Sequence, residues 1–74
     1  MLTDERAQAI AHAAGRDPAV VRWMYKADWR QDGTGIQQWM LTGDLQRVAE
    51  WVASWTISNA GEYEEALSRR ADPA

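Results

Sequence analysis

Five tryptophans in a chain of 74 residues that has no cysteine constrain the fold more than any other feature of this sequence. Because no disulfide can hold so short a chain together, its stability has to come from the burial of large side chains. If each indole buries about 200 Å², five of them contribute roughly 25 kcal/mol at about 25 cal/mol/Å². We therefore predict a single domain with one core over residues 1–70, followed by a flexible tail at residues 71–74.

The first helix is indicated by apolar residues that recur with a period of 3.6 residues. Ala7, Ile10 and Ala11 fall at i, i+3 and i+4 on one stripe. Thr3 can act as the N-cap of this helix, and Gly15 can end it in the left-handed conformation.

A second helix is predicted over residues 18–30. Asp17 can accept the free amide hydrogens of its first turn, and Pro18 lacks a donor that the first helical position does not need. The helix is amphipathic, with apolar residues on its inner face and three basic residues at i+4 spacing on its outer face: Arg22, Lys26 and Arg30.

The rest of the chain predicts a loop and three more helices. Residues 31–35 carry two glycines and indicate the loop. A short third helix follows, which Gly43 can end, while Asp44 can cap a fourth helix over residues 45–57. A kinked continuation of the third helix into the fourth also stays open. Apolar residues form the inner face of this fourth helix: Leu45, Val48, Ala49, Val52 and Trp55. Asn59 and Glu62 have the spacing of a capping box for a fifth helix that ends near residue 70. The fold class predicted is all-α, a compact bundle of four to five short helices with no sheet.

Few residues of the chain are suited to catalysis or metal binding. His12 is the only histidine, and its position on the first helix, away from Ile10, predicts an exposed side chain. Adjacent carboxylates such as Glu64 and Glu65 diverge by about 100° on a helix, too far to converge as an acid–base pair. The segment 33–35 lacks the Gly-Lys-Ser/Thr of a phosphate loop and indicates a turn. We expect no enzymatic activity, no catalytic residue, no cofactor and no metal site.

The net charge of −3 comes from the second half of the chain. Residues 1–37 hold five basic and five acidic side chains, whereas residues 38–74 hold three basic and six acidic ones. This balance disfavours indiscriminate binding to nucleic acids or membranes. The N-terminal sequence lacks the basic and apolar regions of a secretory signal, and no apolar run approaches the length of a membrane span. We expect a cytoplasmic protein that does not bind membranes.

The tryptophans differ in their positions on the predicted helices. Trp23, Trp39 and Trp55 fall on inward stripes and are assigned to the core. Trp29 and Trp51 lie off the centres of these stripes. Tryptophan is enriched at binding hot spots because it offers a large rigid area with one polar group. Since small bundles also recruit edge positions into the core, both a core role and an interface role stay open for these two residues.

Residues 8–27 contain one recognisable motif. Ile10 and Ala11 in the first helix are followed by Gly15 four residues after the alanine and by Val21 six residues after the glycine, with Met24 at the next core position. This pattern resembles the helix-turn-helix of phage-repressor-type proteins. The chain differs from the family in two places. Arg16 follows the glycine where an apolar residue is usual. Asp17 and Pro18 open the second helix where polar, uncharged residues are usual.

The resemblance implies that residues 18–30 form a DNA recognition helix. Arg22 and Lys26 would then reach the major groove or its phosphates, and Arg16 and Arg30 would contact the DNA backbone. It also implies a homodimer, because one small unit rarely provides enough specific contacts. The same spacing arises wherever two short helices meet at a glycine, in which case the basic residues form a solvated face.

Two functions therefore stay open. The leading hypothesis is a non-enzymatic helical interaction module, a regulator or inhibitor that covers a surface of a protein partner, with Trp29 and Trp51 as candidate contact residues. Phage-encoded inhibitors of host systems are often of this size and kind. The alternative is a helix-turn-helix transcriptional regulator that binds DNA through Arg16, Arg22, Lys26 and Arg30. The two differ in salt dependence, because phosphate contacts weaken steeply with salt and a tryptophan-centred interface does not.

Overall fold

The computed structural model describes residues 1–27, 30–31 and 34–70 of the chain. In these residues it contains five helices, which confirms the prediction of a small all-α bundle. It also contains one antiparallel pair of two-residue strands at residues 30–31 and 34–35, so the prediction of a loop at residues 31–35 and of no sheet is wrong for these four residues. In chain order the elements are α1 (Asp4–Ala14), α2 (Pro18–Ala27), β1 (Arg30–Gln31), β2 (Thr34–Gly35), α3 (Ile36–Thr42), α4 (Leu45–Ser58) and α5 (Ala60–Arg70). The predicted tail at residues 71–74 lies outside the described residues.

Both predicted ends of α1 are confirmed. The Thr3 hydroxyl accepts a hydrogen bond from the backbone N–H of Arg6 at 3.1 Å. At the other end Gly15 has φ 67° and ψ 37°. Its N–H donates to the His12 carbonyl, and the N–H of Arg16 donates to the Ala11 carbonyl at 2.9 Å. These two bonds form a Schellman motif, which needs a left-handed residue and therefore favours glycine at this position.

Helix α2 begins as predicted but ends earlier. Asp17 accepts a hydrogen bond from the N–H of Ala19 through its carboxylate at 2.9 Å. The helix ends at Ala27, three residues before its predicted end, and Arg30 lies in β1, where it pairs with Gly35. The strand pairing of residues 30–31 with 34–35 uses backbone groups that a continued helix would need, so it competes with the helical conformation of Arg30. The prediction that Arg30 extends the basic face of α2 is therefore wrong.

Helices α3 and α4 are separate, so the kinked continuation that the sequence left open is not formed. The carboxylate of Asp44 accepts a hydrogen bond from the N–H of Arg47 at 3.1 Å and caps α4. The predicted inner face of α4 is confirmed except at Leu45, which is 37% exposed. Leu45 is the first residue of α4 and lies at the edge of the core.

The predicted capping box of α5 is wrong. Asn59 instead closes α4, because its backbone N–H and its side-chain Nδ2 both donate to the Trp55 carbonyl, at 2.8 and 3.1 Å. Its N–H is therefore not available to the Glu62 carboxylate, and Glu62 Oε2 is buried without a hydrogen-bond partner among the described residues. Helix α5 begins at Ala60 and ends at Arg70.

The core is mainly aliphatic. Helix α1 packs on α2 and α4, and α2 also packs on α5 and α3. The largest fully buried side chains come from the first four helices: Ile10, Val20, Val21, Met24, Ile36, Met40, Val48 and Val52. Of the tryptophans in the described part of the chain, Trp55 is buried, whereas Trp23, Trp39 and Trp51 pack partly buried against the core. The tryptophans thus lie mostly at the margin of the core. No helix in the described residues is long and apolar enough to cross a membrane.

Candidate interaction surfaces

Two tryptophans from neighbouring helices form a partly exposed pair, called here the indole pair: Trp39 on α3 and Trp51 on α4. Their ring centroids are 5.6 Å apart, and the ring planes meet at 60° in an edge-to-face arrangement. Both side chains are half-buried. Edge-to-face aromatic contacts contribute about 0.5–1.5 kcal/mol beyond the burial of apolar area. This contact therefore holds the two rings together at the surface.

The indole of Trp39 is held close to the backbone of the α3–α4 turn. The N–H of Gly43 donates to the Trp39 carbonyl at 2.6 Å. A Cβ atom at position 43 would overlap Trp39, since it would meet the carbonyl oxygen and Cδ1 of the indole and lie 2.8 Å from its Nε1. Only glycine allows this close approach of ring and backbone.

The indole pair keeps free polar capacity. Neither Trp39 nor Trp51 donates a hydrogen bond from its ring N–H to another described residue. Because buried indole N–H groups usually find an acceptor, these two donors are candidate hydrogen-bonding groups for a bound partner. On α4, exposed polar side chains flank Trp51 on the helix surface: Arg47, Glu50 and Ser54.

The second pair of tryptophans is more internal. Trp23 on α2 and Trp55 on α4 have ring centroids 5.7 Å apart and an interplanar angle of 43°. Trp55 is only 9% exposed. The predicted contact residue Trp29 lies outside the described residues.

Arg16, one of the predicted DNA-contacting residues, is held by hydrogen bonds within the chain. Its Nε donates to the Thr56 hydroxyl at 2.6 Å, and its Nη atoms donate to the carbonyls of Gly15 and Ala53 at 3.1 and 3.3 Å. Its guanidinium also lies over the Tyr63 ring, 6.0 Å from the centroid. Arg16 therefore fastens the α1–α2 turn to α4 and α5, which explains how an arginine replaces the apolar residue of the helix-turn-helix pattern.

The outer face of α2 carries two of the other predicted basic residues. Arg22 forms an ion pair with Asp4 at 2.6 Å, with 44% and 84% of the two side chains exposed. Lys26 is exposed. The side chain of Arg30 lies outside the described part of the structure. Since exposed ion pairs contribute only about 0–1 kcal/mol, Asp4 does not prevent Arg22 from binding an anion.

In the segment 8–27 two helices follow each other across a short turn. Helices α1 and α2 are joined by three residues, 15–17, and the first is a left-handed glycine. Turns of three or four residues that contain glycine are typical of the helix-turn-helix motif. Its core positions are buried to at least 99%: Ile10, Ala11, Val21 and Met24.

His12 is exposed, as predicted. No three His, Asp or Glu side chains in the described part are placed to hold a metal ion. The indole pair and the basic face of α2 hold three of the predicted contact residues: Trp51, Arg22 and Lys26.

Comparison of this chain with models of known protein families, with curated proteins and with solved structures found no match. Sequence reasoning named Trp51 as a candidate contact residue and assigned Trp39 to the core, whereas both side chains pack half-buried against the core. The spacing of Trp39 and Gly43, one helical turn apart, was the available signal that this indole packs over the turn and stays near the surface.

Proposed function

We propose that this chain is a non-enzymatic helical interaction module, a small regulator or inhibitor that binds a protein partner through the indole pair. The observation that carries the proposal is that two adjacent indoles are half-buried and keep both N–H donors unpaired within the described residues. A cytoplasmic location is part of the same proposal.

The energetics of protein interfaces support this use of the indole pair. Tryptophan is among the residues most enriched at hot spots, where a rigid aromatic side chain fills a desolvated pocket inside a polar rim. Trp39 and Trp51 supply the rigid apolar centre, and Arg47 and Glu50 supply polar groups beside it. Because the rings already contact each other, little side-chain entropy is lost when a partner covers them.

The test is partner capture with matched α4 variants. The tagged chain is incubated with lysate of its source cells, and co-purified proteins are compared between Trp51→Ala and Ile57→Ala. Ile57 is the control because it is also apolar, lies on the same helix and is 75% exposed. We expect one protein to be captured by the wild type and by Ile57→Ala and lost with Trp51→Ala. Equal capture by all three chains contradicts the proposal.

The second candidate function is DNA binding by the helix-turn-helix segment. The three-residue turn with a left-handed Gly15 and the exposed Arg22 and Lys26 favour it. The net charge of −3 and the internal hydrogen bonds of Arg16 weigh against it. In this function the chain acts as a homodimer, because one unit offers few contacts.

A duplex-binding assay at two salt concentrations tests this second candidate. DNA binding predicts that affinity for a selected duplex falls steeply between 50 and 200 mM salt. It also predicts that Arg22→Ala costs about 1–3 kcal/mol and relaxes sequence preference, whereas Trp51→Ala has no effect. If the chain shows no salt-sensitive binding to a DNA duplex, DNA binding is excluded as its function.

A further inference from the structure

Arg6 on α1 donates hydrogen bonds to the end of another helix. Its Nε donates to the Met40 carbonyl at 2.7 Å, and its Nη2 donates to the Gly43 carbonyl at 2.7 Å. Met40 lies in the last turn of α3, and Gly43 follows that helix. Carbonyls at a helix C-terminus lack helical donors, and a cation there is favoured by the helix dipole. Arg6 thus supplies charge-assisted bonds that α3 cannot make for itself.

The same peptide segment supports the indole pair. Gly43 is bound on both sides, because its carbonyl accepts from Arg6 and its N–H donates to the Trp39 carbonyl. The Trp39 indole lies directly over this glycine, in contact with Trp51. A shift of the Gly43 peptide therefore moves the surface on which Trp39 rests.

We infer that Arg6 is a positioning residue for the indole pair: it fixes the α3–α4 turn and so sets the angle between the Trp39 and Trp51 rings. Arg6 is on α1 and acts through the turn, without belonging to the indole pair itself. The inference deepens the proposed function and rests on it, since ring geometry matters for function only if the indole pair binds a partner.

Arginine is specifically suited to this position. Its planar guanidinium presents N–H donors in a fixed fork, so one side chain can bind two carbonyls at once. Lysine carries the same charge as a point on a flexible stem and does not reproduce this fork. We therefore expect a graded series, in which Arg6→Lys keeps part of the ring geometry and Arg6→Gln loses most of it.

Circular dichroism of the tryptophan bands tests this inference, because the signal depends on the relative orientation of the Trp39 and Trp51 rings. Two indoles in contact give a coupled pair of bands, which is isolated by subtracting the spectrum of Trp51→Phe from that of the wild type. We expect Arg6→Gln to lose more than half of this coupled signal while its helix signal persists, and to have no comparable effect in the Trp51→Phe background. Arg6→Lys should lie between Arg6→Gln and the wild type.

Arg16→Gln is the matched control. Arg16 also joins helices through carbonyl and hydroxyl acceptors, but it does so near Thr56 and away from the α3–α4 turn. This variant should lower the melting temperature and keep the coupled signal of Trp39 and Trp51. A full coupled signal in Arg6→Gln, together with a lowered melting temperature, shows that Arg6 is only a structural link and overturns the inference. If Arg6→Gln does not fold, an undiminished signal in the folded Arg6→Lys overturns it equally.

The circular dichroism test of Arg6 and the partner-capture test of the proposed function can fail independently of each other. If the coupled signal depends on Arg6 while partner capture does not depend on Trp51, Arg6 positions the rings and the proposed function is wrong. If capture depends on Trp51 and the signal is unchanged in Arg6→Gln, the proposed function stands and the role of Arg6 is wrong.

Discussion

Replacing Gly43 with alanine should destabilise the fold, although alanine is the better helix former. The added Cβ would overlap the Trp39 carbonyl and the indole ring atoms that lie over this residue. Backbone and ring would both have to move, and overpacking of this kind costs about 1–3 kcal/mol. For a domain of this size, each kcal/mol lowers the melting temperature by roughly 4–8 °C.

Urea denaturation followed by helix circular dichroism measures this loss, with Gly61→Ala as the control. Gly61 lies in α5, and no atom would lie within 4 Å of a Cβ added there. Because alanine in a helix is favoured over glycine by about 0.5–1 kcal/mol, Gly61→Ala should stabilise the chain. The free energy of unfolding should therefore fall in Gly43→Ala and rise in Gly61→Ala. A Gly43→Ala variant as stable as the wild type would refute the close packing of Trp39 on this turn.

Three further predictions concern single side chains. Because Trp55 is buried, Trp55→Ala should lower the free energy of unfolding by about 3–5 kcal/mol and leave the chain largely unfolded, as measured by thermal or chemical denaturation. A loss below about 1 kcal/mol contradicts its core position. Arg16→Gln should lower the free energy of unfolding by about 1–3 kcal/mol in the same measurement, since the Thr56 hydroxyl is left without its arginine donor. An unchanged free energy of unfolding contradicts the role of Arg16 as a link between helices. Asp4→Ala should change stability by less than about 1 kcal/mol, because its ion pair with Arg22 is exposed; a larger loss contradicts that assignment.

Local signals in the sequence predicted the helix ends well. Thr3, Gly15, Asp17 and Asp44 act through residues at most five positions away, so their roles follow from short-range chemistry. The end of α2 was predicted wrongly because helical periodicity continued to Arg30 while the strand pairing of Arg30 with Gly35 competes with it.

Long-range contacts could not be predicted from the sequence. Arg6 and Arg16 reach acceptors 34 to 40 residues away, and no periodicity marks an arginine that binds carbonyls inside a bundle. The same holds for the indole pair, where helical position distinguished Trp51 from the inward stripe but did not show that Trp39 contacts it. The Asn59–Glu62 spacing was misleading because the Asn59 N–H is used by the preceding helix.

Binding through the indole pair is tested by the affinity of the captured partner for Trp51→Ala, measured by calorimetry against the wild type and Ile57→Ala. Truncating a hot-spot aromatic should cost about 2 kcal/mol, roughly a 30-fold rise in Kd, with the helix signal unchanged. Ile57→Ala and the double variant Arg22→Ala, Lys26→Ala should change affinity by less than about threefold. If Trp51→Ala binds as tightly as the wild type while the Arg22 and Lys26 variant loses affinity, the partner binds the basic face of α2 and not the indole pair.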